Sequence, residues 1–266
     1  LLFLRRAMRV IADTDPKYAA PARIGALREI YQEMFPGRPD LEEKKRLYNE
    51  RMLARLPLLR ARLAGSADRL ASAIWMAIAA NYIDFGMLSE IDDDKLDELL
   101  FTPDPDVLRP DELSHLRADL ARAGRVLYAL DNCGEVVVDR LVMELLLEEF
   151  PGIRLTALTR SKPIFNDATV KDAQAVGISQ FARVIGNGSG ICGTEIDLLS
   201  EEARRAVLEA DVIFSKGLGN FESLSGCGLN VYYLFLSKCA LYEKLYGLPY
   251  FRGAFFNDRR FFPNGL

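Results

Sequence analysis

Histidine is nearly absent from the sequence, since His115 is the single one among 266 residues. A mechanism that needs two histidines is therefore excluded, and Ser–His–Asp hydrolysis and histidine-rich zinc sites become poor hypotheses. His115 falls in a region predicted to be helical, where we interpret it as a structural or surface residue. The four cysteines form no C-x-x-C pair, which argues against zinc-ribbon and thioredoxin-type sites. Their usage is typical of a reducing cytosol, so we predict a cytoplasmic protein.

The sequence also lacks an excess of positive charge and a long apolar run. Its 34 lysines and arginines are outnumbered by 38 aspartates and glutamates, which gives a net charge of −4. A globally basic nucleic-acid binder is not expected, since counterion release needs clustered lysine and arginine. The longest strongly apolar run, 70–80, is too short to span a bilayer, and Arg5 and Arg6 end the apolar start too early for a signal peptide. We therefore predict neither nucleic acid nor a membrane as a partner.

The composition is that of a globular protein, with 50% hydrophobic and 27% charged residues, and the length fits one or two domains. The first part of the chain has helical patterns. They include a helix over 41–63, interrupted by Pro57, and a buried helix over 70–85. A proline-rich connector follows. These features predict an all-helical N-terminal domain over residues 1–119 and a second domain over residues 120–266.

The pattern changes in the second part of the chain, because short β-prone runs alternate with helical ones. Strands are predicted at 126–130, 153–158, 184–185, 212–215 and 229–236. Helices are predicted at 136–150, 167–176, 200–210 and 238–246. This alternation predicts an α/β fold, a three-layer α/β/α domain with a mostly parallel sheet, in which ligands bind beyond the carboxyl ends of the strands. The sequence does not predict where the aromatic, arginine-rich tail 249–266 lies in this fold.

Polar side chains follow three of the predicted strands. Asp131 and Asn132 come directly after the first, and Asp167 follows the second. Lys216 follows the strand over 212–215. Because these loops are expected to converge at one edge of the sheet, their oxygens can share a ligand. Carboxylate and amide oxygens suit a hard divalent cation such as Mg²⁺ or Mn²⁺, which can bind a phosphoryl oxygen.

Positive charge and a helix N-terminus accompany these oxygens. Lys216, Lys162 and Arg160 can neutralise the other oxygens of a phosphate. Gly134 permits close backbone approach at the start of a helix whose N-terminal amides favour an anion. The set looks built for an anionic ligand held by a metal. Each part also has a plainer interpretation, namely turns or helix caps for the acids and amides and a solvated side chain for Lys216.

Two further segments are open to more than one interpretation. Asn81 and Asp84 lie one helical turn apart beside buried residues, so they either cap a neighbouring loop or line a pocket between the two domains. The glycine-rich segment 186–190 matches neither a Walker loop nor the G-x-G-x-x-G register. A flexible turn is the favoured interpretation of that segment.

The order of these segments resembles a known family, the metal-dependent damage-control phosphatases. It is also called the acidic-residue-methyltransferase-like metal-binding family and was formerly domain of unknown function eighty-nine. The likeness is to its compact prokaryotic branch and spans about residues 7–238. The matching segments are Asn81–Gly86, Asp131–Glu135, Lys162–Thr169, Asp172-Ala173, Lys216–Glu222 and Lys238-Cys239. The chain departs from the branch in having no C-x-x-C near its start, and Ala80 stands where glycine is usual.

The resemblance implies a helical N-terminal domain packed on the α/β/α domain. It implies hydrolysis of phosphate monoesters of small metabolites, either sugar phosphates or damaged phosphometabolites. It also implies a divalent metal, Mn²⁺ or Mg²⁺ with Co²⁺ or Ni²⁺ as alternatives, held by Asp131, Asn132 and Asp167. The residues expected at the substrate, together with Lys162 from the charge argument, are Asn81, Asp84, Glu135, Asn166, Lys216, Asn220 and Glu222.

We therefore predict a metal-dependent phosphatase whose partner is a small phosphate ester. Asp131, Asp167 and Lys216 are its predicted catalytic residues, with Lys216 stabilising the developing charge. Asp131 is either a nucleophile or only a metal ligand. The rival hypothesis is an S-adenosylmethionine-dependent carboxyl methyltransferase that uses the loop Gly186–Gly193, and a third is a non-catalytic metal or anion binder. Paired acidic strand ends argue against methyl transfer, which does not need them.

Overall fold

The structure is a computed structural model that describes residues 1–37, 41–86, 88, 90–238 and 240–262. In these ranges six helices precede the first strand: α1 (Leu2–Asp13), α2 (Ala20–Met34), α3 (Glu42–Ala64), α4 (Arg69–Ala80), α5 (Asp93–Phe101) and α6 (Pro110–Leu120). The helical character predicted for the first part of the chain is confirmed. Every helix in the described ranges is too short or too polar to cross a membrane.

Strands and helices alternate in the remainder of the chain, as predicted. The strands are β1 (Arg125–Ala129), β2 (Arg154–Thr159), β3 (Arg183–Gly186), β4 (Val212–Lys216), β5 (Val231–Leu236) and β6 (Gly253–Asn257). The helices are α7 (Glu135–Glu149), α8 (Val170–Ala175), α9 (Glu201–Leu208), α10 (Gly217–Leu224), α11 (Ala240–Tyr246) and α12 (Asp258–Phe261). Two short 3₁₀ segments, Ile178–Gln180 and Ile196–Leu198, lie on either side of β3.

The six strands form one sheet in the order β3-β2-β1-β4-β5-β6. Strands β1 to β5 pair in parallel, and β6 alone pairs antiparallel with β5. The chain moves outward from β1 to β3 and then returns to β4 on the other side of β1. Ligand crevices of open parallel sheets form where the strand order reverses in this way, beyond the carboxyl ends of the strands. In this sheet that place lies between β1 and β4.

Both faces of the sheet are buried, because successive side chains of each strand point to opposite sides. In β1, Val126 and Tyr128 join an apolar core that contains α4 and α7. Leu127 and Ala129 join a second core on the other face, which includes residues of α9 and α10. The fold is therefore the predicted three-layer α/β/α arrangement. The first core also contains residues of α3, α5 and α6, so the N-terminal helices pack directly on the sheet layer.

Two predicted helix boundaries in the N-terminal part are wrong. Helix α3 is unbroken, with Pro57 inside it. Pro57 lies on the exposed side of α3, while Met52 and Leu59 are buried, so packing of the inner face holds the helix together. Helix α4 ends at Ala80 and not at residue 85. The N–H groups of Asn81, Tyr82 and Ile83 bond to carbonyls three residues back, which tightens the last turn, and the Asn81 side chain accepts from the backbone of β5.

Two predictions in the second part of the chain also need correction, and the structure places the tail. Helix α8 starts at Val170 and not at residue 167, because Thr169 caps it in a reciprocal capping box with Asp172. The segment after β4, predicted as a loop, is helix α10. The tail contributes strand β6 and helix α12, while Cys239 and residues 263–266 lie outside the described residues.

Candidate functional site

The loops that follow β1 and β2 lie against each other. The backbone N–H of Ala168 donates to the Asp131 carbonyl at 2.7 Å, and Asn132 and Asp167 form an isolated antiparallel bridge. The N–H of Cys133 donates to the Asn166 carbonyl at 2.8 Å. The structure therefore brings Asp131, Asn132 and Asp167 together at the carboxyl edge of the sheet. The predicted convergence of these strand ends is present in the fold.

A cavity of about 300 Å³ opens at this edge, between the sheet and the N-terminal helices. Its volume is at the lower end of the range for small-molecule sites. The N-terminal part contributes Pro21, Ile24, Asp84 and Gly86, so both parts of the chain build the cavity. The remaining lining residues are Asp131, Asn132, Phe165, Asn166, Asp167, Cys192, Leu218, Gly219, Glu222 and Lys238.

The Asp131 carboxylate is held from several sides. Its Oδ2 accepts hydrogen bonds from Asn81 Nδ2 at 3.1 Å and from Asn132 Nδ2 at 2.9 Å. Burial raises the pKa of Asp131 well above its ordinary value, and the charges of Glu135 and Asp167 raise it further. The ionised form of Asp131 is therefore costly in the protein alone and would be relieved by a nearby cation.

Arg160 supplies a positive charge next to the carboxylates of Asp131 and Asp167. Its side chain is completely buried, and its Nε donates to Asp167 Oδ2 at 2.7 Å. Its Nη2 lies 3.6 Å from Asp131 Oδ1 and has no hydrogen-bond partner in the described residues. Burial still raises the pKa of Asp167 although Arg160 opposes that shift. The single guanidinium of Arg160 therefore does not neutralise both carboxylates, those of Asp131 and Asp167.

The donor set at the cavity fits a divalent cation. Asp131 and Asp167 offer carboxylate oxygens, and Asn132 offers Oδ1, which Asn166 Nδ2 orients by a hydrogen bond of 2.7 Å. Hard cations prefer such all-oxygen sets. No cluster of three or more histidine, cysteine or acidic side chains with metal-binding geometry occurs in the described ranges, so the set depends on the Asn132 amide.

The structure places Lys216 away from the cavity. Lys216 is the last residue of β4 and is fully buried, in contrast to the solvated loop position considered above. Its Nζ donates to Glu135 and to the Ala77 carbonyl, and it lies 3.1 Å from Asp139. Burial lowers the pKa of Lys216, but Asp139 and Glu135 outweigh that effect and raise it. Lys216 therefore neutralises two buried carboxylates beneath the site.

Other predicted substrate residues also lie outside the cavity lining. Lys162 is exposed, and its Nζ pairs with Glu29 at 3.4 Å. Asn220 is buried, and both ends of its amide are occupied: Nδ2 donates to two carbonyls, and Oδ1 accepts from Arg160 and Thr194.

Two further residues of the predicted set support Asp131 from outside the lining. Glu135 Oε2 accepts from Asn81 Nδ2 and Asn132 Nδ2, both at 2.9 Å. Asn81 and Glu135 therefore hold the strand-end loop in place. Asp84, Asn166 and Glu222 do line the cavity.

Lys238 is a charged cavity residue to which the sequence analysis assigned no role. It follows β5, is largely buried, and is the one lysine or arginine that lines the cavity in the described residues. Its Nζ donates to Asp84 Oδ2 at 2.9 Å. The strand-end rule that selected Asp131 would also have selected Lys238. Lys238 was not selected because the sequence predicted a helix that begins at Lys238, and the residue was therefore not counted as a strand end.

The backbone at Gly217 leaves no room for a side chain beside Asp131. A Cβ at Gly217 would lie 2.0 Å from Asp131 Oδ2, and Gly217 has a φ of +74°. We expect Gly217→Ala to displace the carboxylate and to lower kcat/KM of the predicted phosphatase reaction about 100-fold, since misplacement of about 1 Å costs that much. Steady-state assays with a phosphate monoester measure the effect.

Gly228 provides the matched control for this substitution. It has nearly the same φ, +73°, and a Cβ there would have nothing within 4 Å. Gly228→Ala should cost about 1 kcal/mol of stability from backbone strain and leave kcat/KM unchanged. Equal activity losses in the two variants would contradict the close approach at Gly217.

Comparison with known proteins identifies the family. Residues 6–249 match the family model of the damage-control phosphatase ARMT1-like domain. The chain is 32% identical over 246 residues to an uncharacterized protein of Methanocaldococcus jannaschii, covering 89% of this chain and 79% of that one. It is 31% identical over 242 residues to a damage-control phosphatase of Pyrococcus horikoshii, covering 88% and 82% of the two chains.

A second curated relative and a solved structure agree with this match. A damage-control phosphatase of Archaeoglobus fulgidus is 31% identical over 215 residues, covering 80% of this chain and 73% of that one. The crystal structure of a DUF89 family protein from Pyrococcus horikoshii superposes with a TM-score of 0.76 at 26% identity, covering 96% of this chain and 88% of that chain. The chain therefore belongs to the damage-control phosphatase ARMT1-like family.

Proposed function

We propose that this chain is a metal-dependent phosphatase that hydrolyses phosphate monoesters of small metabolites. One observation carries the proposal: Asp131, Asn132 and Asp167 present oxygen atoms from adjacent strand ends to one small cavity that also contains Lys238. Two of the similar proteins bear the name damage-control phosphatase, which supports phosphatase chemistry. The cavity volume of about 300 Å³ favours a small ester over a polymer.

Asp131, Asn132 and Asp167 would hold the metal, for which Mn²⁺ or Mg²⁺ is the expected ion and Co²⁺ or Ni²⁺ an alternative. When bound, such an ion supplies Lewis-acid polarisation of the phosphoryl group and lowers the pKa of water. Arg160 keeps Asp167 in place by its hydrogen bond to Oδ2. Asn166 keeps the Asn132 amide oxygen oriented.

Lys238 replaces Lys216 as the proposed phosphate-binding cation. Its ammonium group lines the cavity beside Asp84, so it can donate to a phosphoryl oxygen and balance the charge that develops there. Hydrolysis consumes one water, breaks the P–O bond, and releases an alcohol and inorganic phosphate. The negative charge of Asp131 serves either role, attack on the phosphorus or coordination of the ion.

Glu222 is the proposed proton donor for the leaving alcohol. It lies on α10 at the cavity wall, and burial raises its pKa even though the hydroxyl of Tyr242 donates to it at 2.6 Å and opposes the shift. A carboxyl with a raised pKa can carry a proton nearer to neutral pH and pass it to the departing oxygen. This role accords with the scarcity of histidine in the chain.

The rival methyltransferase hypothesis receives no support from the glycine-rich loop. Asn187 Oδ1 accepts from the backbone N–H groups of Ser161 and Ser189, which ties the loop to the end of β2. A Cβ at Gly188 would meet Ser200 at 2.8 Å, and one at Gly193 would meet Ser223 at 2.2 Å. Gly188 and Gly193 therefore allow the loop to pack closely against Ser200 and Ser223.

A panel of phosphate monoesters tests the proposal on protein stripped of metal and refilled with Mg²⁺, Mn²⁺, Co²⁺ or Ni²⁺. We expect phosphate release to vanish on stripping and to return with at least one ion, and Asp167→Asn to prevent the return. Thermal stabilisation by the ion without turnover of any ester would indicate a non-catalytic binder. Stabilisation by S-adenosylmethionine without phosphate release would favour methyl transfer.

A further inference from the structure

The lining of the cavity includes both charged and apolar side chains. Asp131, Asp167 and Lys238 belong to the charged group, and Lys238 is close enough to Asp131 to influence its charge. The apolar side chains, here called the apolar wall, come from three separate parts of the chain: Pro21, Ile24, Phe165 and Leu218. A phosphate group needs polar and charged partners, so the apolar wall is available to the organic part of the substrate.

Phe165 has the most unusual backbone in this wall. Its φ is +43°, a left-handed conformation in which a bulky residue is a genuine outlier. It lies in a turn closed by a hydrogen bond of 3.1 Å from the Asp167 N–H to the Ile164 carbonyl. Phe165 is 41% exposed, so it is not a residue of the apolar core. Strained residues of this kind cluster at ligand sites, which makes Phe165 a candidate for substrate contact.

Helix α2 presents one face to the same space. Pro21, Ile24 and Arg28 are spaced i, i+3 and i+7, so they share one side of the helix. Pro21 and Ile24 line the cavity, and the Arg28 guanidinium lies 6.0 Å from the centre of the Phe165 ring. Leu218 approaches from α10. The aromatic ring is thus at the cavity and close to α2, and α10, which packs against α2, adds Leu218 to the same lining.

We propose that Phe165, together with Pro21, Ile24 and Leu218, binds an aromatic or similarly apolar group next to the phosphate of the substrate. The inference rests on the proposed phosphatase function and narrows its substrate class. Aromatic rings bind one another by stacked or edge-to-face contact in addition to the burial of apolar area. A polyhydroxylated sugar would instead leave its hydroxyl groups against this wall without partners, which is unfavourable.

The test compares benzyl phosphate with glycerol 1-phosphate, two alkyl esters that differ in the group placed on the apolar wall. The wild type should have the higher kcat/KM for benzyl phosphate. In Phe165→Gly the ratio of the two kcat/KM values should fall about tenfold, mostly through KM for the benzyl ester. Glycine adopts the left-handed backbone freely, so the variant should keep the fold, which a cooperative melting transition checks. Phe165→Asn, which also tolerates this backbone, provides a second variant.

Phe261→Ala is the matched control, because Phe261 is 40% exposed and does not line the cavity. The ratio of its kcat/KM values for benzyl phosphate and glycerol 1-phosphate should equal that of the wild type. An unchanged ratio in Phe165→Gly and Phe165→Asn, with both esters still hydrolysed, would overturn the inference and leave the phosphatase function standing. Failure of the wild type to hydrolyse any ester would instead remove the proposed function on which the inference rests.

Discussion

Replacing Asp131 with asparagine is expected to lower phosphatase kcat/KM at least about 1,000-fold, while the fold is kept. The loss is large because Asp131 is either the nucleophile or a metal ligand, and either role requires its negative charge. An asparagine oxygen can still accept from Asn81 and Asn132, which now donate to Oδ2. The measurement is steady-state hydrolysis at saturating metal.

The stability of this variant distinguishes a functional role from a structural one. Burial, Glu135 and Asp167 all disfavour the charged form of Asp131, so Asp131→Asn should be at least as stable as wild type in metal-free buffer. It should also lose the stabilisation that metal gives the wild type. Asp197→Asn, at an exposed acid that pairs with Lys17, is the control and should change neither property. Full turnover in Asp131→Asn would refute the site.

Replacing Lys216 with methionine is expected to destabilise the protein by about 3–5 kcal/mol, because it leaves two buried carboxylates without their cation. Glu135 and Asp139 are both fully buried, and Asp139 Oδ2 already has no hydrogen-bond partner in the described residues. Burial raises the pKa of Asp139 to about 7 even with Lys216 beside it. Chemical denaturation at pH 7 measures the change.

Lys162→Met is the matched control for this prediction. Lys162 is exposed and pairs with exposed Glu29, so its replacement should change the unfolding free energy by no more than about 0.5 kcal/mol. Adding Asp139→Asn to Lys216→Met should recover part of the lost stability. A stable Lys216→Met protein with a raised KM for phosphate esters would show that Lys216 contacts the substrate after all.

The strand ends were the most predictable part of the molecule. A parallel sheet gathers the residues that follow its strands, so Asp131, Asn132 and Asp167 could be placed together from strand–helix alternation alone. The three-layer fold followed from the same alternation. Local patterns were sufficient here because each strand is short, apolar and bounded by polar loops.

Partners that are distant in sequence were not predictable in the same way. Lys216 was predicted to be catalytic because it follows a strand and precedes a glycine-rich segment, while Glu135 and Asp139, which pair with it, come from α7. Helix α10 was missed because Gly217 and Gly219 suggested a loop, although their small size serves close contact with Asp131 and Cys192. Tertiary packing, which local sequence patterns do not reveal, determines both the burial of Lys216 and the formation of helix α10.

Crystals of the protein soaked in Mn²⁺ and measured at the manganese absorption edge provide the most direct test of the proposed site. We expect one anomalous peak at the carboxyl edge of β1 and β2, with oxygens of Asp131, Asn132 and Asp167 within about 2.3 Å. Asp167→Asn crystals should show a weaker peak or none. A strong peak elsewhere, or no peak in protein whose activity depends on Mn²⁺, would contradict the account.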